Sequence, residues 1–231
     1  MATRSRLLLF DVDGTLLSAG PASRAAFAGA LIEVFGTSGD LSNYAFEGKL
    51  DPVIVGELMR EAGIENEVVV ERLPWALALY LDRLEDALAV ERPRLKPCVP
   101  ELLERVAASP TAVPALLTGN VERGARIKLS AAGLWHRFRF GVFGDEAPRR
   151  EKLGFLALAR AKETTGISFE GRDCIVVGDS PNDVACGKAI GARVVAVATG
   201  KTSIERLRAA GADVVFPDFR DLDAASEALL A

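Results

Sequence analysis

Apolar residues in this chain fall into short solid blocks that stop at aspartate, glycine or threonine. Between the blocks they return every three or four positions. Leu7-Leu8-Leu9-Phe10 stops at Asp11 and Gly14, and similar blocks cover 112–118, 140–143, 174–177, 193–197 and 213–216. A block without polar alternation reads as a strand buried on both faces, which belongs to parallel sheets. Helical periodicity predicts helices over 100–108, 122–132, 151–165, 183–190, 203–210 and 221–230. Gly133, Gly166, Gly191 and Gly211 follow four of them as C-terminal stops. Strand and helix alternate from Pro97 onward, so this part predicts a doubly wound, Rossmann-like α/β fold with a parallel sheet.

Residues 20–91 break the rhythm. They contain no convincing strand and predict helices over 22–35, from Asp51-Pro52 to Gly63, and over 67–89 with Pro74 as a kink or boundary. The expected organisation is an α/β core of residues 1–18 and 93–231, interrupted after its first strand by a small helical domain of residues 19–92. The return linker Arg92-Pro93-Arg94-Leu95-Lys96-Pro97 is charged and proline-rich.

Composition narrows the chemistry. The 231 residues are 49% hydrophobic, enough for a core, and carry 28 Lys plus Arg against 32 Asp plus Glu, a net charge of −4. No basic block accompanies that balance, which argues against a nucleic-acid partner. His136 is the only histidine, which excludes a multi-histidine metal site, and a Ser/His/Asp triad would have to use it. Cys98, Cys174 and Cys186 form no Cys-x-x-Cys pair and read as small buried hydrophobes. Neither a secretory signal nor a membrane span is legible, so the expectation is a cytoplasmic protein with no membrane partner.

The strand ends carry the candidate chemistry. Asp11 and Asp13 lie two residues apart at the carboxyl end of the first strand, where open α/β sheets bind ligands. One carboxylate there can attack phosphorus, and a second can exchange a proton with the leaving oxygen. A lone Asp-x-Asp-Gly is more simply an Asx turn. The segment Leu117-Thr118-Gly119-Asn120 sets a hydroxyl and backbone N–H groups at another strand end. Gly178-Asp179-Ser180-Pro181-Asn182-Asp183 sets two more carboxylates at a third, with Asp183 also suited to a helix N-cap. Four converging aspartates would repel without a cation, and an all-oxygen donor set favours magnesium.

These three motifs, in this order, resemble those of the haloacid dehalogenase superfamily of phosphohydrolases. The likeness is to the group typified by phosphoglycolate phosphatase and β-phosphoglucomutase, whose small helical cap follows the first motif. The resemblance spans the chain and implies roles. Asp11 would be the nucleophile that forms an aspartyl-phosphate. Asp13 would be the general acid/base, its carbonyl a magnesium ligand. Asp11 and Asp179 would bind the metal through their side chains, and Asp183 would hold a water of the metal or orient a neighbouring cation. Thr118, Gly119 and Asn120 would grip the phosphoryl group. The family's stabilising cation falls on Arg150, with Lys152 as the alternative.

Within the cap, Leu17-Ser18-Ala19-Gly20 and Arg92 to Pro97 would be the hinges, and Lys49 would either meet an anionic substrate group or lie exposed. Asp51 reads as an N-cap. Trp75 and Tyr80 read as core or interface residues of the insert, residues 135–138 as loop packing, and Arg123, Arg126 and Lys128 as a solvated helix face. The expected activity is magnesium-dependent hydrolysis of a small phosphomonoester. A phosphomutase is the alternative, a non-catalytic binding protein on the same scaffold a third reading, and monomer and homodimer remain open.

Overall fold

The computed structural model of the chain describes residues 5–231. Its centre is β1 (Arg6–Phe10), where Leu7, Leu8, Leu9 and Phe10 have no solvent exposure. Both faces are covered because successive side chains point oppositely. Leu8 and Phe10 join the cluster that includes α4 (Val99–Ala108), α5 (Glu122–Ala131) and α9 (Leu222–Leu230). Leu7 and Leu9 pack toward α6 (Arg150–Thr165) and α7 (Pro181–Ala189).

β1 pairs in parallel with β4 (Ala112–Leu117) on one side and β6 (Cys174–Gly178) on the other. β5 (Gly141–Val142), β7 (Arg193–Val197) and β8 (Val214–Phe216) complete a six-stranded sheet of order β5-β4-β1-β6-β7-β8. The chain therefore winds outward from β1 in one direction and then in the other. The crevice over the carboxyl ends of β4, β1 and β6 is the topological switch point where such sheets hold their ligands. α8 (Ile204–Ala209) lies between β7 and β8.

Between β1 and β4 the chain builds α1 (Gly20–Phe35), α2 (Asp51–Glu61) and α3 (Asn66–Val90) around a separate apolar cluster that includes Phe27, Leu58, Met59, Tyr80 and Leu84. α3 runs through Pro74 without interruption, where the sequence suggests a kink or boundary. Trp75, read with Tyr80 as a core or interface residue, is 54% exposed, whereas Tyr80 is 5% exposed. The two hinge segments are not plain linkers. β2 (Leu17–Ser18) and β3 (Arg94–Leu95) pair as a short antiparallel ribbon. Trp135 stacks on Phe143 with ring centres 6.5 Å apart, as loop packing predicts. The three cysteines are free, Cys174 and Cys186 buried and Cys98 partly exposed.

Candidate active site

Asp11 follows the last residue of β1 and extends the sheet, its N–H donating to Val177 O at 2.9 Å. Its carboxylate accepts a hydrogen bond from Arg150 Nη2 at 2.8 Å. The same guanidinium nitrogen donates to Asp183 Oδ1, and to Leu117 O at 3.4 Å. Asp179, just beyond β6, accepts from Thr15 Oγ1 at 3.3 Å. Asp11, Asp179 and Asp183 are all buried, and each offers a carboxylate oxygen within 4.8 Å of the others.

The electrostatics follow from that crowding. Burial, and then the charge of Asp183, push the Asp11 carboxyl above the ordinary carboxylate range. Burial, Asp11 and Asp183 do the same to Asp179. Against the pull of burial, Asp183 and Asp11 keep Arg150 firmly charged. Three ionised carboxylates and one guanidinium leave a net −2. An all-oxygen donor set with that surplus fits a hard divalent cation. Gly14 makes room for the Asp179 carboxylate. Its φ is +89°, and a Cβ there would land on the Asp179 carboxylate.

Asp183 does not cap its helix. Ser180 is the N-cap, and Asp183 closes a capping box from the third helical position, its Oδ2 accepting from Ser180 N at 3.0 Å and Ser180 Oγ at 2.6 Å. With Oδ2 held by the helix start, Oδ1 is aimed at Arg150.

Asp13 belongs to a second group. Its carboxylate meets Asn120, just before α5, and Lys128, on α5. Asn120 Nδ2 donates to Asp13 Oδ2 at 2.8 Å and to Thr118 Oγ1 at 2.8 Å. Lys128 Nζ donates to Asp13 Oδ2 at 2.6 Å and to Asn120 Oδ1 at 2.5 Å. Lys128 is 5% exposed, so the solvated helix face read from the sequence is corrected here. The reason is long-range, because α3 of the insert packs over α5. Its neighbour Arg123 reaches across that contact to Asp82 at 2.8 Å and Glu85 at 3.0 Å.

Lys152 lies away from the cluster. It sits on the exposed side of α6, Nζ 5.9 Å from the Phe155 ring centre, so the cation beside Asp11 is Arg150. Asp51 is likewise no N-cap. It is the first residue of α2, and its carboxylate accepts from Val121 N at 2.9 Å, tying the insert to the start of α5. Burial raises its carboxyl to about 6, against the pull of Lys128 and the Val121 N–H.

The segment 46–51 closes over these groups. Asp51 N donates to Gly119 O at 2.8 Å, and Asn182 Nδ2 to Glu47 O at 2.8 Å. A Cβ on Gly119 would strike the Lys49 carbonyl, and one on Gly48 would strike Ser180 Oγ. Beneath lies a cavity of about 400 Å³ that both aspartates of the first motif, Thr118, Arg150 and Asp179 line together with Phe27, Phe46 and Tyr80 of the insert. Lys49 also lines it, but its Nζ pairs with Glu57 Oε2 at 2.5 Å and lies 4.3 Å from the Tyr44 ring centre.

Comparison with known proteins gives the family. A HAD-hydrolase-like family model matches residues 151–222. Phosphoglycolate phosphatase 1 of Pseudomonas aeruginosa is 30% identical over 236 residues, covering 99% of this chain and 84% of that protein. The chain belongs to the haloacid dehalogenase-like hydrolases. Within them it is a phosphatase, similar to the phosphoglycolate phosphatases. The probable phosphatase IndB of Dickeya dadantii is 26% identical, covering 97% of this hydrolase and 94% of its own length. Among solved structures, CbbY from Rhodobacter sphaeroides in complex with phosphate superposes with a TM-score of 0.75 at 18% identity, covering 97% of this chain and all of that one. A hydrolase from Pseudomonas syringae gives 0.71 at 23%, covering 99% and 100%. These two show the fold. No helix among the described residues of this hydrolase is long and apolar enough to cross a membrane.

Proposed function

We propose that the protein hydrolyses a small phosphomonoester, of phosphoglycolate or sugar-phosphate type, with magnesium and through an aspartyl-phosphate on Asp11. The observation that carries this reading is Asp11 itself. It is a buried carboxylate at the switch point, paired with Arg150, lining the cavity between the sheet and the insert. In the first half-reaction an Asp11 oxygen attacks phosphorus, the bond to the leaving alcohol oxygen breaks, and Asp13 donates the proton that oxygen needs. In the second, water attacks the aspartyl-phosphate, Asp13 takes the water's proton, and inorganic phosphate leaves with Asp11 restored.

Thr118 Oγ1 accepts from Asn120, which leaves its own proton for a phosphoryl oxygen, alongside the N–H groups of Gly119 and Asn120. Arg150 supplies fixed positive charge beside the attacking carboxylate. Magnesium would be held by the Asp11 and Asp179 side chains and the Asp13 carbonyl, with Asp183 alongside, and would supply charge neutralisation for the phosphoryl oxygens. The division into a core of 1–18 and 93–231 and a cap of 19–92 belongs to this proposal. The cap closes on the core through 46–51 and excludes water from the first half-reaction.

The test is a screen of phosphorylated metabolites with magnesium, read by inorganic phosphate release. Wild type releases phosphate from at least one and Asp11→Asn from none. Equal inactivity of both across the panel overturns the proposal. A phosphomutase would return an isomeric phosphate ester with little free phosphate, so the two products separate the readings.

A further inference from the structure

Lys128 has no part in the three strand-end motifs, yet it is among the most committed side chains of the site. A lysine loses much of its hydration when buried, so its retention at 5% exposure needs compensation. Here the compensation comes from both halves of the molecule. Asp13 and Asn120 of the sheet side take two of its three ammonium protons at 2.6 and 2.5 Å. The charges of Asp13 and of Asp51, the latter from the insert, favour the ammonium form against the pull of burial.

Both contacts to Asp13 fall on Oδ2, from Lys128 and from Asn120. Two donors on one oxygen fix the carboxylate's rotation and leave Oδ1 as the atom to face a leaving group. Asn120 in turn is held through its amide on Thr118 Oγ1. The acid/base candidate and the phosphoryl-gripping hydroxyl are thus joined through Asn120, with Lys128 as its buttress. Asn120 Nδ2 holds one side of the amide on Asp13 and Thr118, and the lysine bond to its Oδ1 holds the other.

We infer that Lys128 is a positioning residue, which orients Asp13 for proton delivery to the leaving oxygen and so becomes indispensable only for leaving groups that need the proton. The inference rests on the proposed role of Asp13. It requires no contact between Lys128 and the phosphoryl group, whose cation is Arg150.

A leaving-group series tests it, with p-nitrophenyl, phenyl and ethyl phosphates and magnesium, read as kcat/KM, which reports transfer to Asp11. A nitrophenolate departs without a proton, whereas an alkoxide does not. Lys128→Met is expected to keep p-nitrophenyl phosphate within about threefold of wild type and to lose roughly 100-fold on ethyl phosphate, within the range of general acid catalysis. Lys128→Arg should recover part of the ethyl phosphate loss. The preserved aryl activity doubles as proof of folding. A uniform fall across the series in Lys128→Met, or no fall anywhere, overturns the inference. Asp13→Asn is run in parallel. If it keeps full turnover of ethyl phosphate, the acid role of Asp13 fails, and the inference fails with it. If Asp13→Asn shows the steep leaving-group dependence and Lys128→Met does not, only the lysine's role is lost.

Discussion

Arg150 touches Asp11, Asp183 and the Leu117 carbonyl through a single nitrogen, so three negative or partly negative groups depend on one guanidinium. Removing one partner of a buried ion pair leaves an uncompensated charge and costs about 3–5 kcal/mol. Arg150→Met is therefore expected to lower Tm by roughly 10 °C, given the size of the chain. Arg150→Lys keeps the charge without the fork and should fold but turn over poorly. Thermal melts and phosphate release on the same preparations check both. The choice between Arg150 and Lys152 was open in the sequence because both flank a helix start. Residues two apart are about 200° apart around a helix, so only one can face the sheet. Which one does depends on how α6 seats against β1 and β6, a tertiary fact. Lys128 was illegible for the same reason, since α5 looks solvated until α3 is laid over it. Asp11, Asp179 and Thr118 were legible because each follows a solid apolar block, and a block's end is a strand's end.

At the level of elements, the segment 46–51 meets the turn after β4 backbone to backbone. Gly119 leaves no space for a side chain under the Lys49 carbonyl. Gly119→Ala should therefore lift this segment and lower kcat/KM by at least about tenfold, an entropic and geometric loss of the sort misplacement causes. Its Tm should fall as well, because lifting the segment loosens Leu50, which packs with Leu7, Leu9 and Leu117 of the core. Asp51, at the start of α2, gives a pH signature. Its folded carboxyl titrates near 6, above the unfolded value of 3.8. The folded state then binds the extra proton between those values, so this group's contribution is full below about pH 4 and is lost as pH rises through 6. Asp51→Asn keeps an acceptor for the Val121 N–H and should flatten that slope, by no more than one proton, ~1.4 kcal/mol per pH unit. Chemical denaturation of both proteins from pH 4 to 7 measures it.

Across the whole molecule the acidic cluster sets a larger dependence of the same sign. Asp11 and Asp179 both titrate above their unfolded value, so without a cation their contribution fades as pH rises beyond the ordinary carboxylate range. A bound divalent ion reverses this, because it prefers the ionised forms. Magnesium is expected to raise Tm by several degrees at pH 8, on the scale of about 2.7 kcal/mol at a hundred times Kd. At pH 5, where protons compete, the gain should be much smaller, and Asp179→Asn should abolish the difference. The sheet order around β1 makes this concentration of charge tolerable, because it gathers the carboxylates at one rim and leaves both faces apolar. The alternation of blocks and helices made that architecture readable from residues alone. The pairing of the two hinges was not, since Leu17 and Ser18 find Arg94 and Leu95 only after the chain has travelled through three helices.

That pairing has a topological consequence. The chain leaves at Ser18 and returns at Arg94, which face each other across one rung of a ribbon. To the sheet, the whole excursion is equivalent to the tip of a hairpin. The ribbon closes whatever lies between its two strands, so most of the excursion is free to change in length and contents, while Leu50 and Val53, which pack with Leu7, Leu9 and Leu117, tie one segment of it to β1 and β4. Joining Ser18 to Arg94 through Asn-Gly, the shortest turn an antiparallel ribbon accepts, should give a miniature phosphatase scaffold with its rim uncovered.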